Sequence, residues 1–240
     1  MQTVAIVVGG TRRVGRWVSE ALLVQGAQVH AVYLGNEQAA RQAVDELAAA
    51  GLELHTHRAD ATDEAAIAET ARLIAGDAGR IGVLVNCAGP ARQGTLLDSG
   101  AADIESLWRG NVLSVHNAVR ATVPLMAGGP GRIISFLTIG ADTARAFRQI
   151  PLYGAAKAML AGYSRSLARE LAPDGITVNC IALGATDLPA ENVPAVEVAA
   201  LPTGAHVSQE DVAAAIWYLT GPASGQVTGT VLNLSGGWAL

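Results

Sequence analysis

The feature that most constrains this chain is an alternation of short apolar runs with helical periodicity, kept up almost from end to end. The run TVAIVV at 3–8 is apolar and ends at glycine, which reads as a buried strand. Val14, Val18 and Leu22 follow at helical spacing, and Gly26 closes that helix. AQVHAVY, LELHTHRAD, IGVLVNCAG, RIISFLT, ITVNCIA and TVLNLSGG read as the later strands. Between them the pattern predicts helices over 37–50, 62–75, 102–126 and 151–172. Another opens at Ser208, with Asp211 three residues on as a variant capping box. Strands alternating with helices argue for an α/β, doubly wound fold: a seven-stranded parallel sheet with helices on both faces. No linker, repeat or low-complexity tract interrupts it, so 1–240 reads as one domain. A stretch at about 183–207, with Pro189, Pro194 and Pro202, is irregular.

Composition sets limits on partners. A chain of 240 residues, 50% hydrophobic, can bury a sizeable core. A net charge of −5 gives no electrostatic reason to expect nucleic acid or an anionic membrane. No apolar run reaches the ~18 residues of a membrane span. The start, MQTVAIVVGG, lacks the basic segment of a signal peptide, so a cytoplasmic location is expected. Cys87 and Cys180 sit near strand ends and read as small buried hydrophobes. His55 and His57 share one face of a strand. With no third ligand nearby in sequence they read as solvent-facing, and no metal is expected.

After the first strand comes VVGGTRRVGR, with Gly9, Gly10 and Gly15 before a helix start. That is the context of a dinucleotide loop in a Rossmann fold: small residues admit the pyrophosphate, and the helix N-terminus offers free N–H groups. An NAD site usually has an acid at the end of the second strand. Here that strand ends AVYLGN, and the first acid is Glu37, already in the helix. Arg12 and Arg13 crowd the loop, and a guanidinium suits a 2′-phosphate. NADP(H) is therefore favoured over NAD(H). Further along, YGAAK puts Tyr153 and Lys157 one helical turn apart, where an ammonium can ease ionisation of a phenol acting as general acid.

Taken in order, the motifs resemble those of the short-chain dehydrogenase/reductase family, and the likeness covers nearly the whole chain. GGTRRVG is similar to its cofactor loop, RAD to the segment holding an adenine-contacting aspartate, and NCAG to its NNAG motif. Asn111 in RGNVLSV, Thr138 in RIISFLTIG, YGAAK, VNCIALG and VTGTVLNLSGGW complete the set. The resemblance implies hydride transfer between NADP(H) and a carbonyl or alcohol substrate, with Asn111, Thr138, Tyr153 and Lys157 catalytic. It implies cofactor contacts from Gly9, Thr11, Arg12, Arg13, Val14, Asp60, Ala61, Asn86, Ala88, Gly89, Gly184 and Thr186, besides Tyr153 and Lys157. Tyr153 would protonate the carbonyl oxygen. Lys157 would hold the nicotinamide ribose and lower the tyrosine pKa, Thr138 would hydrogen-bond the substrate oxygen, and Asn111 would support a proton-relaying water. General similarity is to 3-oxoacyl-carrier-protein reductase-like members. Pteridine reductase-like members share an arginine at the middle glycine of the loop. The alternative is a nucleotide-binding module without turnover, against which the intact Tyr153, Lys157 and Asn111 argue.

Four positions depart from the family pattern. Val8 stands for a threonine that braces the loop, Arg13 for the middle glycine, Leu183 for a proline, and Thr138 for serine. The interval from Thr138 to Tyr153 is also longer than is common, with Ser135 as the other candidate hydroxyl, earlier in its strand. Phe147, Ile150, Leu152 and the 183–207 segment are expected to line an apolar cleft. Arg145 and Arg148 are read either as solvated or as binding an anionic group. The family implies a homo-oligomer, a tetramer or dimer, and the apolar ending GGWAL fits partner contact.

Overall fold

The structure is a computed structural model describing residues 2–143, 145–188 and 195–238. Seven strands form one sheet: β1 (Val4–Val8), β2 (Gln28–Tyr33), β3 (Leu54–Arg58), β4 (Ile81–Asn86), β5 (Gly131–Thr138), β6 (Ile176–Leu183) and β7 (Val231–Leu234). Their order is β3-β2-β1-β4-β5-β6-β7, and every pairing is parallel. β1 and β4 are buried along their whole length, as an apolar run covered on both faces must be. The helices are α1 (Arg13–Val24), α2 (Glu37–Ala49), α3 (Glu64–Ala78), α4 (Ala101–Trp108), α5 (Ser114–Thr122), α6 (Pro151–Leu171) and α7 (Gln209–Thr220). Val18, Leu22, Leu47, Val212 and Ile216 pack α1, α2 and α7 on one face of the sheet. Ile67, Ile74, Val115, Val119 and Leu160 pack α3, α5 and α6 on the other. The order reverses between β1 and β4, and this places a crevice at the carboxyl ends of those strands.

The helix expected over 102–126 is interrupted. Arg109–Leu113 forms a π turn between α4 and α5, and Val123–Met126 is 3-10. At Ser114 the backbone N–H reaches back to Arg109 O, five residues away. Two side chains take up carbonyls at this widened turn, one at the end of α4 and one inside the turn. Asn111 Nδ2 donates to Leu107 O at 3.0 Å, and Ser114 Oγ donates to Gly110 O at 2.7 Å. Gly110 also lets the Pro90 ring lie against the helix, where any Cβ would collide with it.

The reading of His55 and His57 as solvent-facing needs correction. Both are half-buried, and register pairs His55 with His30 of β2, which is 5% exposed. The third imidazole comes from a neighbouring strand, a proximity that spacing along one strand does not show. His30 Nδ1 and His57 Nε2 share a hydrogen bond at 2.9 Å, so these nitrogens serve each other. Among the described residues, no group of three or more ligating side chains is arranged to hold a metal. No described helix is long and apolar enough to cross a membrane. Cys180 is buried, Cys87 half-buried, and both are free thiols.

Candidate active site

The loop after β1 is built by close approach. Gly9 has φ +80°, and its N–H donates to Val32 O at 2.8 Å. A Cβ there would lie 2.9 Å from Ala88 N, while one on Gly15 would collide with the Gly9 carbonyl. Arg12 is the N-cap of α1 and makes no side-chain cap bond, which leaves the first-turn N–H groups uncapped by its side chain. Thr11 is buried and Val14 half-buried. Val8 has no hydroxyl to brace the turn; Ser19 of α1 supplies one, its Oγ donating to Gly10 O at 2.8 Å. Ser19 was legible only as a polar residue beside Val18 on the buried face.

Arg13 is the one non-glycine residue among those described with a left-handed backbone, at φ +52°. It occupies the middle-glycine position, where the turn imposes this conformation whatever the side chain.

After β3, Asp60 Oδ1 accepts from Thr62 N at 2.8 Å, and Ala61 O accepts from Asn117 Nδ2 at 3.1 Å. Arg58 Nε donates to Leu34 O at 3.2 Å. Sequence reasoning did not single out Arg58, because its approach to the β2 end depends on strand order. Asn86, at the end of β4, donates from Nδ2 to Ser135 Oγ at 3.3 Å, and its Oδ1 is buried without a partner. Ala88 N donates to Val8 O, closing the wall beside Gly89. Gly184 N donates to Leu234 O at 2.8 Å, and Thr186 forms an isolated bridge with Val207 at the far side.

The catalytic candidates gather at the carboxyl edge of the sheet. Thr138 is the last residue of β5 and half-buried. Ser135, the alternative hydroxyl, is 1% exposed within the sheet and engaged by Asn86, which favours Thr138. Tyr153 lies in the first turn of α6, and the Lys157 ammonium sits 5.5 Å from its ring centroid. Lys157 is buried, and its Nζ donates to Phe136 O at 2.8 Å. Asn111 is fully buried, its Nδ2 also donating to Pro90 O at 2.9 Å. Its Oδ1 lies against Gly89 without a hydrogen-bond partner.

Burial pushes the Tyr153 phenol up to about 12, and the charge that opposes it is the Arg13 guanidinium. The expected source was Lys157. The Lys157 ammonium instead points at the β5 backbone, and burial brings its own pKa down to about 8, against the influence of the Cys87 and Cys180 thiols. Arg13 thus bears on the Tyr153 phenol, whereas Arg12 is the N-cap residue of α1.

The loop from β5 to α6 folds inward. Phe147 lies against Gly154 and packs on the core, and the Arg145 guanidinium covers the Phe147 ring at 5.5 Å. Gly94 N donates to Gln149 O, which ties this loop to the one after β4. Arg148 is exposed. Pro189, Pro194 and the terminal Ala239 and Leu240 lie outside the described residues.

A family model described as enoyl-(acyl carrier protein) reductase matches residues 9–239. The chain belongs to the short-chain dehydrogenase/reductase family. It is 32% identical to a 3-oxoacyl-acyl-carrier-protein reductase of Salmonella typhimurium, over 98% of this chain and 96% of that one. Among solved structures, a dehydrogenase/reductase from Sinorhizobium meliloti superposes with a TM-score of 0.91 at 32% identity, covering 99% of this chain and 95% of that one. A blue fluorescent protein from a metagenomic library, solved with NADPH, has a TM-score of 0.89 at 32% identity, covering 99% of this chain and 98% of that one.

Proposed function

We propose that this member of the family is an NADP(H)-dependent oxidoreductase acting on a carbonyl or alcohol. The observation that carries this is the Tyr153–Lys157 pair at the start of α6, with Lys157 Nζ bonded to the β5 backbone at Phe136, two residues before Thr138, on the edge of the sheet where the glycine turn leads into a helix N-terminus. The residues fit a dinucleotide. The turn excludes side chains at Gly9 and Gly15, first-turn N–H groups face it, and a buried Asn86 Oδ1 lacks a partner beside it. No acid stands at the end of β2 to repel a 2′-phosphate, and the related structure named above holds NADPH. When bound, the dinucleotide supplies or accepts the hydride.

The chain's own residues do the rest. Tyr153 stays protonated at neutral pH, so its hydroxyl has a proton to give a substrate carbonyl oxygen. Thr138 offers that oxygen a second hydrogen bond. Lys157, fixed by its bond to Phe136 O, would hold the ribose hydroxyls, and Asn111, bonded to Pro90 O, would support a water that relays protons to Lys157. Relatives named as 3-oxoacyl-acyl-carrier-protein reductases make an oxoacyl thioester the first substrate to try. Residues 1–240 work as one dinucleotide-binding domain, and within the 183–207 segment the described residues 183–188 and 195–207 border the substrate. The chain also assembles with copies of itself through the apolar side chains that α4 and α6 leave exposed, Ile104, Trp108 and Met159.

The test is NADPH oxidation with a panel of carbonyl substrates. Tyr153→Phe is expected to lower kcat by about 10²–10⁴-fold, the usual worth of a general acid. Undiminished turnover in Tyr153→Phe would sink the mechanism. Tight NADPH binding with no turnover on any carbonyl would point to a binding module instead.

A further inference from the structure

We propose that Arg58 is a reader of the 2′-phosphate of NADP(H), acting from β3 across the turn that follows β2. This rests on the cofactor reading above. Arg58 is the last residue of the edge strand β3 and pairs in register with Tyr33, the last residue of β2. Leu54, two pleats back on the same side of β3, packs with α1 and α2, so Arg58 faces the start of α2. Its Nε donates to Leu34 O, and this bond holds the guanidinium over the turn at 34–36.

The turn itself has little to offer a dianion. Leu34 is 63% exposed and brings no hydrogen-bonding side chain. Asn36 Oδ1 accepts from Ala39 N as the N-cap of α2. Glu37 is the acid nearest in sequence, and it is ion-paired with Arg41, so that arginine is committed. The carboxyl of Glu37 is held below the usual carboxylate range first by Arg41, and the Arg58 charge reaches it as well. No acid among the described residues pairs with Arg58. Its Nη1 and Nη2 groups therefore present a planar fork beside the turn, the geometry that matches phosphate oxygens. NADH carries a hydroxyl where NADPH carries the phosphate, so a contact of this kind discriminates between the two. Arg12 is the N-cap residue of α1, in the loop that follows β1.

The experiment is direct binding, by calorimetry or by nucleotide fluorescence, of NADPH and NADH to the full chain and to Arg58→Gln. The expected result is about a tenfold rise in Kd for NADPH, the loss of one charge-assisted contact. The Kd for NADH should stay within about twofold, and NADPH binding should become less sensitive to salt. Competition by 2′,5′-ADP should weaken in parallel, and competition by 5′-AMP should not. Equal weakening of NADPH and NADH, or no change in either, overturns the proposal. Where Arg58→Gln melts before it can be titrated, Arg58→Lys keeps the stem and the charge but loses the fork, and should still lose NADPH selectively. A wild-type chain that binds NADH as tightly as NADPH would overturn the cofactor reading itself, and is visible before any variant is made.

Discussion

His30 shows how a single side chain ties this fold to pH. Burial lowers its pKa to about 4, with further lowering from His55 and His57, while His57 is itself lowered by burial and His55 and raised by Asp77. Glu53 stands 3.9 Å from His55 at the rim. Unfolded, His30 would titrate near 6.5. Between pH 6.5 and 4 the unfolded chain therefore binds a proton that the native chain refuses. The stability is fully present above 6.5 and is lost as pH falls toward 4. After discounting for solvent screening of the half-buried neighbours, about 2 kcal/mol is expected to go over that range. Urea denaturation at pH 7, 5.5 and 4.5 checks it, with His30→Leu giving the flatter profile; equal slopes would refute it.

Arg13 is the second residue with a measurable signature. Arg13→Gly should relieve a left-handed backbone, worth about 1 kcal/mol and a rise in Tm of about 2–4 °C. The same change removes the charge that opposes burial of the Tyr153 phenol, so that phenol should ionise at higher pH, followed as the tyrosinate absorbance that Tyr153→Phe removes. An unmoved absorbance titration would show that Arg13 does not act on Tyr153. The arginine was legible in the sequence as an oddity in a glycine position. Its direction was not, because two adjacent arginines at a helix start differ only in backbone conformation.

Among the elements, α7 is the most completely announced by sequence. Ser208 accepts from Asp211 N at 3.2 Å, and Asp211 Oδ2 accepts from Ser208 N at 2.9 Å. Ser208→Ala should lower stability by about 1 kcal/mol, read as a shift in urea midpoint at constant slope. The strands were legible for the same reason: β1, β4, β5 and β6 are short apolar runs closed by turn residues. The π turn between α4 and α5 was not. One extra residue in a turn barely disturbs apolar spacing, and its cause lies in Pro90 on a distant loop and in two side chains bonding to carbonyls. Ser114→Ala, which removes the bond to Gly110 O, should cost about 1 kcal/mol by the same measurement.

For the whole molecule, the parallel, doubly wound architecture followed from alternation alone, but the neighbours across strands did not. His30 beside His55, Arg58 beside Tyr33 and Asn86 beside Ser135 are all products of strand order and register. Assembly is the prediction at this scale. Trp108→Glu combined with Met159→Glu should reduce the mass found by light scattering, and an unchanged mass would place the contact elsewhere. The reversal of strand order between β1 and β4 has a mechanical consequence. The crevice has one lip from the amino-terminal strands β1 to β3 and the other from β4 onward, so a dinucleotide lying across it would act as a clasp between two halves of the chain. Saturation at a hundred times Kd should then add about 2.7 kcal/mol against unfolding. In hydrogen exchange, that protection should reach the amides at the amino ends of β2 and β5 alike, the ends of those strands far from the crevice.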